Sequence, residues 1–493
     1  MSRVLHAISL AVGLLVSLEG TAVRASESER LALLDHLSLT DGDTLVKHEP
    51  PREVPDGPRA RRSFTVVVGG DLGLGAHSAP VRADGAFRHG EFRTWAAITA
   101  GLAPLIDGDL NFANLETVVT GRNDIVPADK AFNFRTHPNG AAHLVGLGFN
   151  LLSTANNHAI DYGVAGVTET VRHLDGLKQR GGLLAHAGVG GDREAASRPQ
   201  LVQVKGATLA FSALGIDSGG RAGPQRPGLM AWRSPEDVAH VVTRLRSATA
   251  DVRLLSVHQG IERSVTVERD AIEILREQVV LTGAADVVVG HHAHVVQGVE
   301  IVDGRVIFYG LGNLLHPGMQ NMSAFGMCQD YGLMAKLHLL EDATGRFRVR
   351  AIEAIPLTDM HWIARRMPAR QATERVHVLN HLATALDAPS AGAKGVRFAP
   401  RADGAGLYCA PDAHADGGPI GALCAGWQGA PEPPAVLNAR IASACGSRPL
   451  IADRTGGGSV KGRPVPGAIT SSSVAPSPTT APAAWTRQVF AGD

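Results

Sequence analysis

The chain has 493 residues, with 47 Lys and Arg balanced by 47 Asp and Glu, so its formal net charge is +0. This balance argues against a nucleic-acid partner, because binding to phosphates needs a basic surplus. Hydrophobic residues make up 44% of the chain, which excludes a wholly disordered protein, and 57 Gly with 28 Pro are too many for a helical bundle.

The N-terminus has the three parts of a secretory signal peptide. The basic residue Arg3 precedes an apolar run at 7–18, and Val23-Arg24-Ala25 offers a small-residue cleavage site before Ser26. The apolar run is short for a membrane span, although an uncleaved N-terminal anchor is the alternative interpretation. We therefore expect residues 1–25 to be a signal peptide. The protein would be exported, to the periplasm or the extracellular space, or stay tethered to the membrane by this segment.

A polar, Pro-rich stretch at 26–62 is predicted to be a linker. From Phe64 onwards, short apolar runs bounded by glycine or polar residues alternate with helical patterns. This alternation indicates an α/β fold. The predicted strands are 64–71, 109–116, 149–155, 252–258 and 285–290, and the predicted helices are 91–106, 139–147, 163–180, 234–248 and 268–283.

Farther along the chain, the pattern changes to strand pairs that look like antiparallel additions to the sheets. The pairs are 295–302 with 305–312, and 333–340 with 347–355. A last helix at 368–387 would close a domain that spans 63–388. The remaining residues, 389–493, are rich in Ala, Gly, Pro and Ser, and we expect a largely disordered tail because such a composition buries little apolar surface.

The four cysteines fit an exported protein that does not depend on a disulfide framework. Cys328 lies in the predicted domain, whereas Cys409, Cys424 and Cys445 lie in the predicted tail. Two of the last three could pair in an oxidising compartment. Their spacings do not resemble those of a zinc site.

Polar side chains that can bind a metal follow predicted hydrophobic strands at five places. They are Asp71, Asn114 with Glu116, Asn156-Asn157-His158, His258, and His292 with His294. The carboxyl ends of parallel strands meet at one crevice, so residues far apart in sequence can gather there. Carboxylate, amide and imidazole ligands together suit a divalent ion such as Mn, Fe or Zn.

Each of these sites has a simpler explanation when it is taken alone. The sequence GHHAH (290–294) could be a surface cluster, and the two asparagines could cap the following helix. Asp71 could be a turn residue. Glu116 and His258 could be ordinary polar groups at strand ends. The occurrence of all five sites in one chain favours a common metal site over five separate structural roles.

The order of these motifs resembles the CapA family of poly-γ-glutamate capsule biosynthesis proteins, which belongs to the calcineurin-like metallophosphatase superfamily. The resemblance covers about residues 64–316. It rests on GDLGLG (70–75), NLET (114–117), ANNHAIDYG (155–163), HQGIE (258–262), GHHAHVVQG (290–298) and YGLGN (309–313). It implies an α/β/β/α sandwich of two mixed sheets flanked by helices, followed by the disordered tail.

The resemblance also implies a site for two divalent ions. The residues implied as metal ligands are Asp71 and His294 for the first ion, Glu116 as the bridge, and Asn157, His258 and His292 for the second. The implied catalytic residues are His158 and Asp161. The imidazole of His158 would stabilise or protonate the leaving group, and Asp161 would orient that imidazole. The implied substrate-binding residues are Asn114, Glu262 and Asn313.

Several positions depart from the pattern or vary within it, among them Gly73 and His291. The superfamily motif Asp-x-His is Asp71-Leu72-Gly73 here, so the first ion lacks an imidazole from this position. His291 occupies a variable family position, and the predicted site therefore excludes it.

These features together predict an exported metal-dependent hydrolase. Its substrate would be a phosphoester or a γ-glutamyl bond, in a small molecule or a polymer, and its setting would be poly-γ-glutamate or cell-surface polymer biosynthesis. One alternative is a non-catalytic accessory subunit of a membrane-bound polymer synthase. Another is an exported nucleotidase or phosphodiesterase unrelated to capsule formation.

Overall fold

The computed structural model describes residues 61–453, apart from residues 78, 218, 447 and 448. The predicted signal peptide, nearly all of the predicted linker and the last forty residues therefore lie outside the described part of the chain. The described residues belong to one compact unit. Among them, no helix is both long enough and apolar enough to cross a lipid bilayer.

The strands form two large sheets and four short ribbons. The first of them are β1 Ser63–Leu72, β2 Gly85–Arg88, β3 Glu91–Thr94, β4 Leu110–Leu115, β5 Val118–Val119, β6 Arg135–Thr136, β7 Leu151–Ser153, β8 Ala185–Ala187, β9 Val189–Gly190, β10 Gln200–Val204, β11 Ala207–Leu214, β12 Gly228–Leu229 and β13 Val252–Gln259. The others are β14 Val267–Glu268, β15 Val287–His292, β16 Val299–Val302, β17 Arg305–Phe308, β18 Asn313–Leu315, β19 Gly332–Glu341, β20 Phe347–Thr358, β21 Arg365–Arg366, β22 Ala393–Gly395, β23 Ala399–Pro400, β24 Gly406–Cys409 and β25 Ile451–Ala452.

Helices lie between many of these strands. The α-helices of the described residues are α1 Trp95–Thr99, α2 Pro138–Gly146, α3 Gly163–Gln179, α4 Arg193–Ser197, α5 Pro235–Ser247, α6 Arg269–Glu273, α7 Ala369–Ala383, α8 Gly418–Cys424 and α9 Ala435–Cys445. Helix α6 continues as a π-helical segment, Ile274–Val280. Short 3-10 turns occupy Ala103–Leu105, Met322–Phe325, Thr384–Leu386, Pro389–Ala391 and Ala413–Ala415.

Both large sheets are mixed. The ten-stranded sheet has the order β23-β24-β20-β19-β1-β4-β7-β8, with β18 also paired to β1 and β21 to β20. Its strands β1, β4, β7 and β8 run parallel, whereas β19 and β20 are antiparallel additions. The seven-stranded sheet has the order β10-β11-β13-β15-β17-β16-β22, with a parallel centre from β11 to β17.

The period-two alternation of the strands builds a layered core. In β1, Val66 and Val68 pack into the apolar layer between the two sheets, whereas Val67 faces the helices α1 to α3. In β13, Leu254 joins the same inter-sheet layer and Leu255 packs against α5 and α6. Successive side chains of a strand point to opposite faces, so each strand serves two layers. The predicted sandwich of two mixed sheets flanked by helices is confirmed.

The predicted helix at 91–106 is wrong over much of its length. Its first residues form β3, which pairs with β2 in a hairpin whose turn, His89 and Gly90, has φ angles of 49° and 83°. Two consecutive positive φ values are the geometry that joins antiparallel strands tightly. The helix is limited to α1, where the Thr94 hydroxyl accepts a hydrogen bond from the main-chain N–H of Ala97.

The structure also differs from the predicted tail over residues 389–453. Strand β22 extends the seven-stranded sheet, and β23 and β24 extend the ten-stranded sheet. A small apolar cluster that includes Leu407 and Ile420 packs on the latter. Sparse but well-placed apolar residues therefore order this stretch despite its Ala- and Gly-rich composition. Residues 454–493 lie outside the described residues.

All four cysteines are paired. Cys409 is bonded to Cys424, which is one of the pairings that the sequence left open. Cys328 is bonded to Cys445, a pairing that the sequence did not predict. The second disulfide links the loop before β19 to the end of α9 across 117 residues.

A very close backbone approach fixes where β1 ends. A Cβ atom at Gly70 would lie 1.8 Å from the carbonyl oxygen of Gly312, a separation that no side chain could occupy. The main-chain N–H of Asp71 donates a 3.0 Å hydrogen bond to the same oxygen. This approach places Asp71 directly opposite Asn313 of β18.

We expect Gly70→Ala to destabilise the protein by about 1–3 kcal/mol, because the methyl group must push β18 away from β1. The matched control is Gly146→Ala at the exposed end of α2, where a Cβ atom meets nothing within 4 Å. This control is expected to leave stability unchanged or to raise it by up to about 1 kcal/mol. Urea unfolding measures both, and equal stability of the two variants would contradict the close-approach argument.

Candidate metal centre

The functional residues predicted from the sequence lie where the two sheets meet. The carboxyl ends of β1, β4 and β7 in one sheet face those of β13 and β15 in the other. The side chains that they position are Asp71 in β1, Glu116 just after β4, Asn157 and His158 after β7, His258 in β13 and His292 at the end of β15. The register of the strand pairs places these side chains at the same level along the sheets, with Asp71 opposite Asn114 and His258 opposite His291.

Two groups of buried ligand atoms overlap at Glu116. One group is Asp71, Glu116 and His294, and the other is Glu116, His258 and His292. Within each group, the ligand atoms lie within 4.8 Å of one another. The structure thus brings together the carboxylates and imidazoles that the sequence singled out, with one carboxylate common to both groups.

Glu116 has the most unusual environment. Its residue is 0% exposed, and neither carboxylate oxygen has a hydrogen-bond partner in the described part of the chain. The nearest imidazole nitrogen is Nε2 of His258, 3.4 Å from Oε1. Burial and the neighbouring Asp71 raise the pKa of Glu116 well above its ordinary value. A buried carboxylate that lacks hydrogen-bond partners and is surrounded by imidazoles is suited to bind a divalent cation.

Asp71 is held from several directions. Its Oδ1 accepts a 2.9 Å hydrogen bond from Nδ2 of Asn114 and lies 3.3 Å from Nδ1 of His291. Its Oδ2 accepts from the main-chain N–H of His292 at 3.2 Å and lies 3.1 Å from Nδ1 of His294. Burial would raise the pKa of Asp71, but His291 and His294 outweigh burial and hold it well below its ordinary value.

The imidazole of His294 responds to both carboxylates. Burial acts to lower its pKa, but Glu116 and Asp71 together raise the pKa to about 10. Its Nδ1 also lies 2.9 Å from Oδ1 of Asn313. In the metal-free protein, the carboxylates therefore draw positive charge onto this ring, which is the charge that a metal ion would replace.

The second group is built around His258. Its Nε2 lies 2.7 Å from Oδ1 of Asn157 and 3.1 Å from Nδ1 of His292. Its Nδ1 lies 3.1 Å from Nδ2 of Asn114. Burial, followed by His292, lowers the pKa of His258 well below its usual range, and burial, followed by His294, lowers that of His292 to about 3. Neutral imidazoles are the form that coordinates a metal.

The backbone around these histidines is strained. His292 and His294 have φ angles of 82° and 56°, in a region that side-chain-bearing residues seldom adopt. Each such residue costs on the order of 1–3 kcal/mol and persists only when its surroundings impose it. Both rings belong to the ligand groups that share Glu116.

His158 lies at the edge of the cluster with its ring fixed by Asp161. Its Nδ1 is 2.8 Å from Oδ2 of Asp161, and its Nε2 is 3.9 Å from Oε1 of Glu116. Lys130 approaches the other oxygen of Asp161 at 2.5 Å, and the main-chain N–H of Phe134 donates to Oδ2 at 2.5 Å. Burial lowers the pKa of His158, and Asp161 partly offsets this effect.

The three predicted substrate-binding residues lie in different environments. Asn114 and Asn313 are buried beneath the cluster, where they hold Asp71, His258 and His294 by hydrogen bonds and do not line open space. Glu262 is exposed, and its carboxylate reaches His292 and His294 from the open side. The residues named from the sequence thus form one cluster, with the two asparagines in its supporting layer.

A cavity of about 470 Å³ opens beside the cluster. Its polar side is formed by His158, Glu262, Arg263 and His294. Its apolar side includes Phe134. This cavity borders the first ligand group through His294.

Two buried histidines near the carboxylates, His291 and His316, were not predicted from the sequence as part of the site. His291 was excluded, yet it is buried and its ring touches Asp71. The doubled histidine in GHHAH was the available signal. His316 is buried with its Nε2 3.9 Å from Oε2 of Glu116, and burial, followed by His294, lowers its pKa to about 3. Nothing in its sequence context, a lone histidine after Leu314-Leu315, marked it.

Comparison with known proteins gives a family for this arrangement. Residues 65–317, about half of the chain, match the profile of the bacterial capsule synthesis protein family PGA_cap. The PGA biosynthesis protein CapA of Bacillus subtilis (strain 168) is 29% identical over 243 residues, which cover 49% of this chain and 60% of that protein. A probable polyglutamine synthesis accessory protein of Mycobacterium tuberculosis (strain CDC 1551 / Oshkosh) is 28% identical over 218 residues, or 42% of this chain and 55% of that protein.

Among solved structures, a 5'-nucleotidase precursor from Thermus thermophilus aligns with 66% of this chain and 59% of its own. The TM-score is 0.33 and the sequence identity is 14%. We infer nothing about function from a likeness of this degree. The chain also matches less than two thirds of the length of the two curated relatives, so their activities as whole proteins do not transfer to it directly.

We expect Glu116→Gln to stabilise the metal-free protein by about 1–3 kcal/mol, because it removes a buried carboxylate whose oxygens lack partners. The same change should weaken retention of a divalent ion. Glu353→Gln is the control, because Glu353 is half-buried but paired with His338 and Arg401. Thermal unfolding with a chelator and with Mn²⁺ measures both effects. A Glu116→Gln variant that is less stable without metal and binds metal normally would refute this prediction.

Proposed function

The chain belongs to the bacterial capsule synthesis protein family PGA_cap, and from this membership we propose that it is an exported, metal-dependent hydrolase. Its setting would be the biosynthesis of poly-γ-glutamate or another cell-surface polymer. One observation carries the proposal: two groups of buried ligand atoms share the carboxylate of Glu116 at the junction of the two sheets.

The donor set indicates which residues would hold the ions. They are Asp71 and His294 for the first ion, Glu116 as the bridge, and Asn157, His258 and His292 for the second. Mixed oxygen and nitrogen ligands favour Mn, Fe or Zn over Ca or Mg. When bound, a pair of such ions lowers the pKa of a coordinated water and polarises a phosphoryl or carbonyl oxygen.

The protein's own residues supply the proton for the leaving group. Asp161 accepts a hydrogen bond from Nδ1 of His158, so Nε2 is directed toward the cluster. Uptake of a proton from solvent at Nε2 gives the imidazolium, which would pass that proton to the leaving group and return to the neutral form. Lys130 and the main chain of Phe134 fix Asp161 in turn. The imidazole is thereby locked in one orientation before any substrate arrives.

The cavity suits an anionic substrate with some apolar surface. Arg263 offers a guanidinium group to a carboxylate or phosphate, and Phe134 offers an aromatic face. Glu262 lines this cavity, and its carboxylate lies within 4.8 Å of ligand atoms of His292 and His294. A phosphoester or a γ-glutamyl bond would then lie close to both ligand groups.

Export has two supports. The first 25 residues have the pattern of a signal peptide. Both disulfides of the described chain are of the kind that persists in oxidising compartments. We accordingly propose a periplasmic or extracellular location. The alternative is a protein that stays tethered to the membrane through an uncleaved N-terminal segment.

A second candidate function is a non-catalytic accessory subunit of a polymer synthase. The name of the mycobacterial relative, an accessory protein, favours it. In that case the buried cluster would serve the structure only, and a membrane-bound synthase would be the partner.

We expect His158→Ala to lower kcat by about 10²–10⁴-fold, because it removes the proton donor, while the bound metal stays. The control is His338→Ala, a partly buried histidine paired with Glu353 in β20. Elemental analysis gives the metal content. Hydrolysis of p-nitrophenyl phosphate, bis-p-nitrophenyl phosphate and γ-glutamyl peptides gives the activity.

The outcomes of this experiment separate the candidates. Protein that carries metal but hydrolyses none of the substrates would favour the accessory subunit. Activity on nucleotides with none on γ-glutamyl bonds or polyglutamate would favour an exported nucleotidase or phosphodiesterase. Wild-type activity that survives His158→Ala would remove this histidine from the mechanism.

A further inference from the structure

Gly73 lies where the superfamily motif would place an imidazole, and another ring fills the space beside it. A Cβ atom at Gly73 would lie 3.0 Å from Nε2 of His316 and 3.2 Å from its Cδ2 and Cε1. The φ angle of Gly73 is not in the left-handed region, so the backbone would accept a side chain there. The ring of His316 therefore occupies the volume into which a side chain at position 73 would project.

His316 is buried in a way that calls for a partner. Its residue is 0% exposed, and the hydrogen bond of its ring to the main chain of Glu116 falls short of normal geometry. Its main-chain N–H donates a 2.7 Å hydrogen bond to the carbonyl oxygen of Met360, which fixes the backbone just after β18. A buried imidazole whose nitrogens lack well-formed hydrogen bonds is costly unless something else occupies them.

The ring faces the first of the two ligand groups. Its Nε2 lies 3.9 Å from Oε2 of Glu116, and Nδ1 of His294 lies 3.9 Å from that same oxygen. The rings of His294 and His316 are 6.2 Å apart between centroids. Two imidazoles thus approach one oxygen of Glu116, whereas His258 approaches the other at 3.4 Å.

We propose that His316 supplies the imidazole of the first metal site, in place of the histidine that is absent at position 73. This inference rests on the proposed metal-dependent function and deepens it. The ligand set of the first ion becomes Asp71, Glu116, His294 and His316. To complete this set, the ring of His316 must move closer, because it lies outside the group whose ligand atoms are all within 4.8 Å of one another. Two carboxylates and two imidazoles give that ion a mixed oxygen and nitrogen set like that of the second.

A purely structural role makes a different prediction. The ring of Phe134 packs edge-on against that of His316 at 4.8 Å, so His316 could serve only as filler. A filler side chain can be replaced by an apolar one of similar volume at little cost, and metal binding would not change. A ligand cannot be replaced in this way.

The test uses the full-length exported protein and Mn²⁺ as the probe. Metal binding is measured by titration calorimetry, and the ions retained after desalting are counted by elemental analysis. The variants are His316→Leu, His316→Ala, and the exchange Gly73→His/His316→Ala, which moves the imidazole to the other strand. The control is His377→Ala, a buried histidine on α7 that is 6% exposed.

We expect the wild type to bind two ions. His316→Leu and His316→Ala should weaken one of them by at least about 10-fold, the smallest loss seen when even an outer partner of a ligand is removed. The exchange variant should recover much of that affinity, and His377→Ala should bind both ions like the wild type. His316→Leu keeps the volume of the pocket and so remains informative if His316→Ala fails to fold.

The possible failures are distinguishable. Two ions bound with equal affinity by the wild type and His316→Leu would overturn the role of His316 and leave the proposed function standing. If the wild type binds two ions and His316→Leu weakens one of them as expected, but no substrate is hydrolysed, the hydrolase proposal is overturned and the ligand assignment stands. A wild type that binds no divalent ion would overturn both.

Discussion

Two carboxylates with no access to water, Asp71 and Glu116, set the terms for the rest of this structure. Taking a charged carboxylate out of water costs several kcal/mol unless a countercharge or hydrogen bonds replace the lost solvent. Asp71 receives such replacements from an amide, a main-chain N–H and two imidazoles. Glu116 receives none of normal geometry from the described residues. The surrounding histidines and the two carboxylates therefore form groups that could bind a cation, and both groups include Glu116.

The two-sheet architecture makes such a burial possible. Neither sheet alone could surround a carboxylate, because each contributes ligands from one side only. Within each sheet, glycines let neighbouring backbones touch. A Cβ atom at Gly70 would meet the Gly312 carbonyl at 1.8 Å, and one at Gly290 would meet that of Tyr309 at 2.0 Å. These contacts draw β18 onto β1 in one sheet and β17 onto β15 in the other, and residues 309–312, which connect β17 to β18, link the two sheets beside the ligand groups.

The sequence predicted the parts of the structure whose signal is local and repetitive. Buried parallel strands such as β1 and β13 are marked by β-branched runs, and the polar residue that ends each run marks the site. The hairpin of β2 and β3 was not predicted because its strands are only four residues long. Its clearest feature, the two positive φ angles of the turn, is visible only in the structure. The ordered stretch at 389–453 was missed because a few apolar residues and two disulfides hold it.

A histidine in a recognisable motif can be assigned to the site from the sequence, whereas an isolated histidine such as His316 cannot. His292 and His294 stand two positions apart at the end of a strong strand, and this spacing, together with the other four sites, predicts that they share a site. His316 is far along the chain from Gly73, and its meaning appears only when the missing side chain at 73 and the filled space beside it are seen together. A metal site depends on which atoms occupy a small volume and is indifferent to which strand supplies them. Loss of an imidazole at one strand end is therefore physically reparable from a neighbouring one, and β1 and β18 are neighbours in register. Such an exchange preserves the chemistry while it removes the motif by which that chemistry is usually identified.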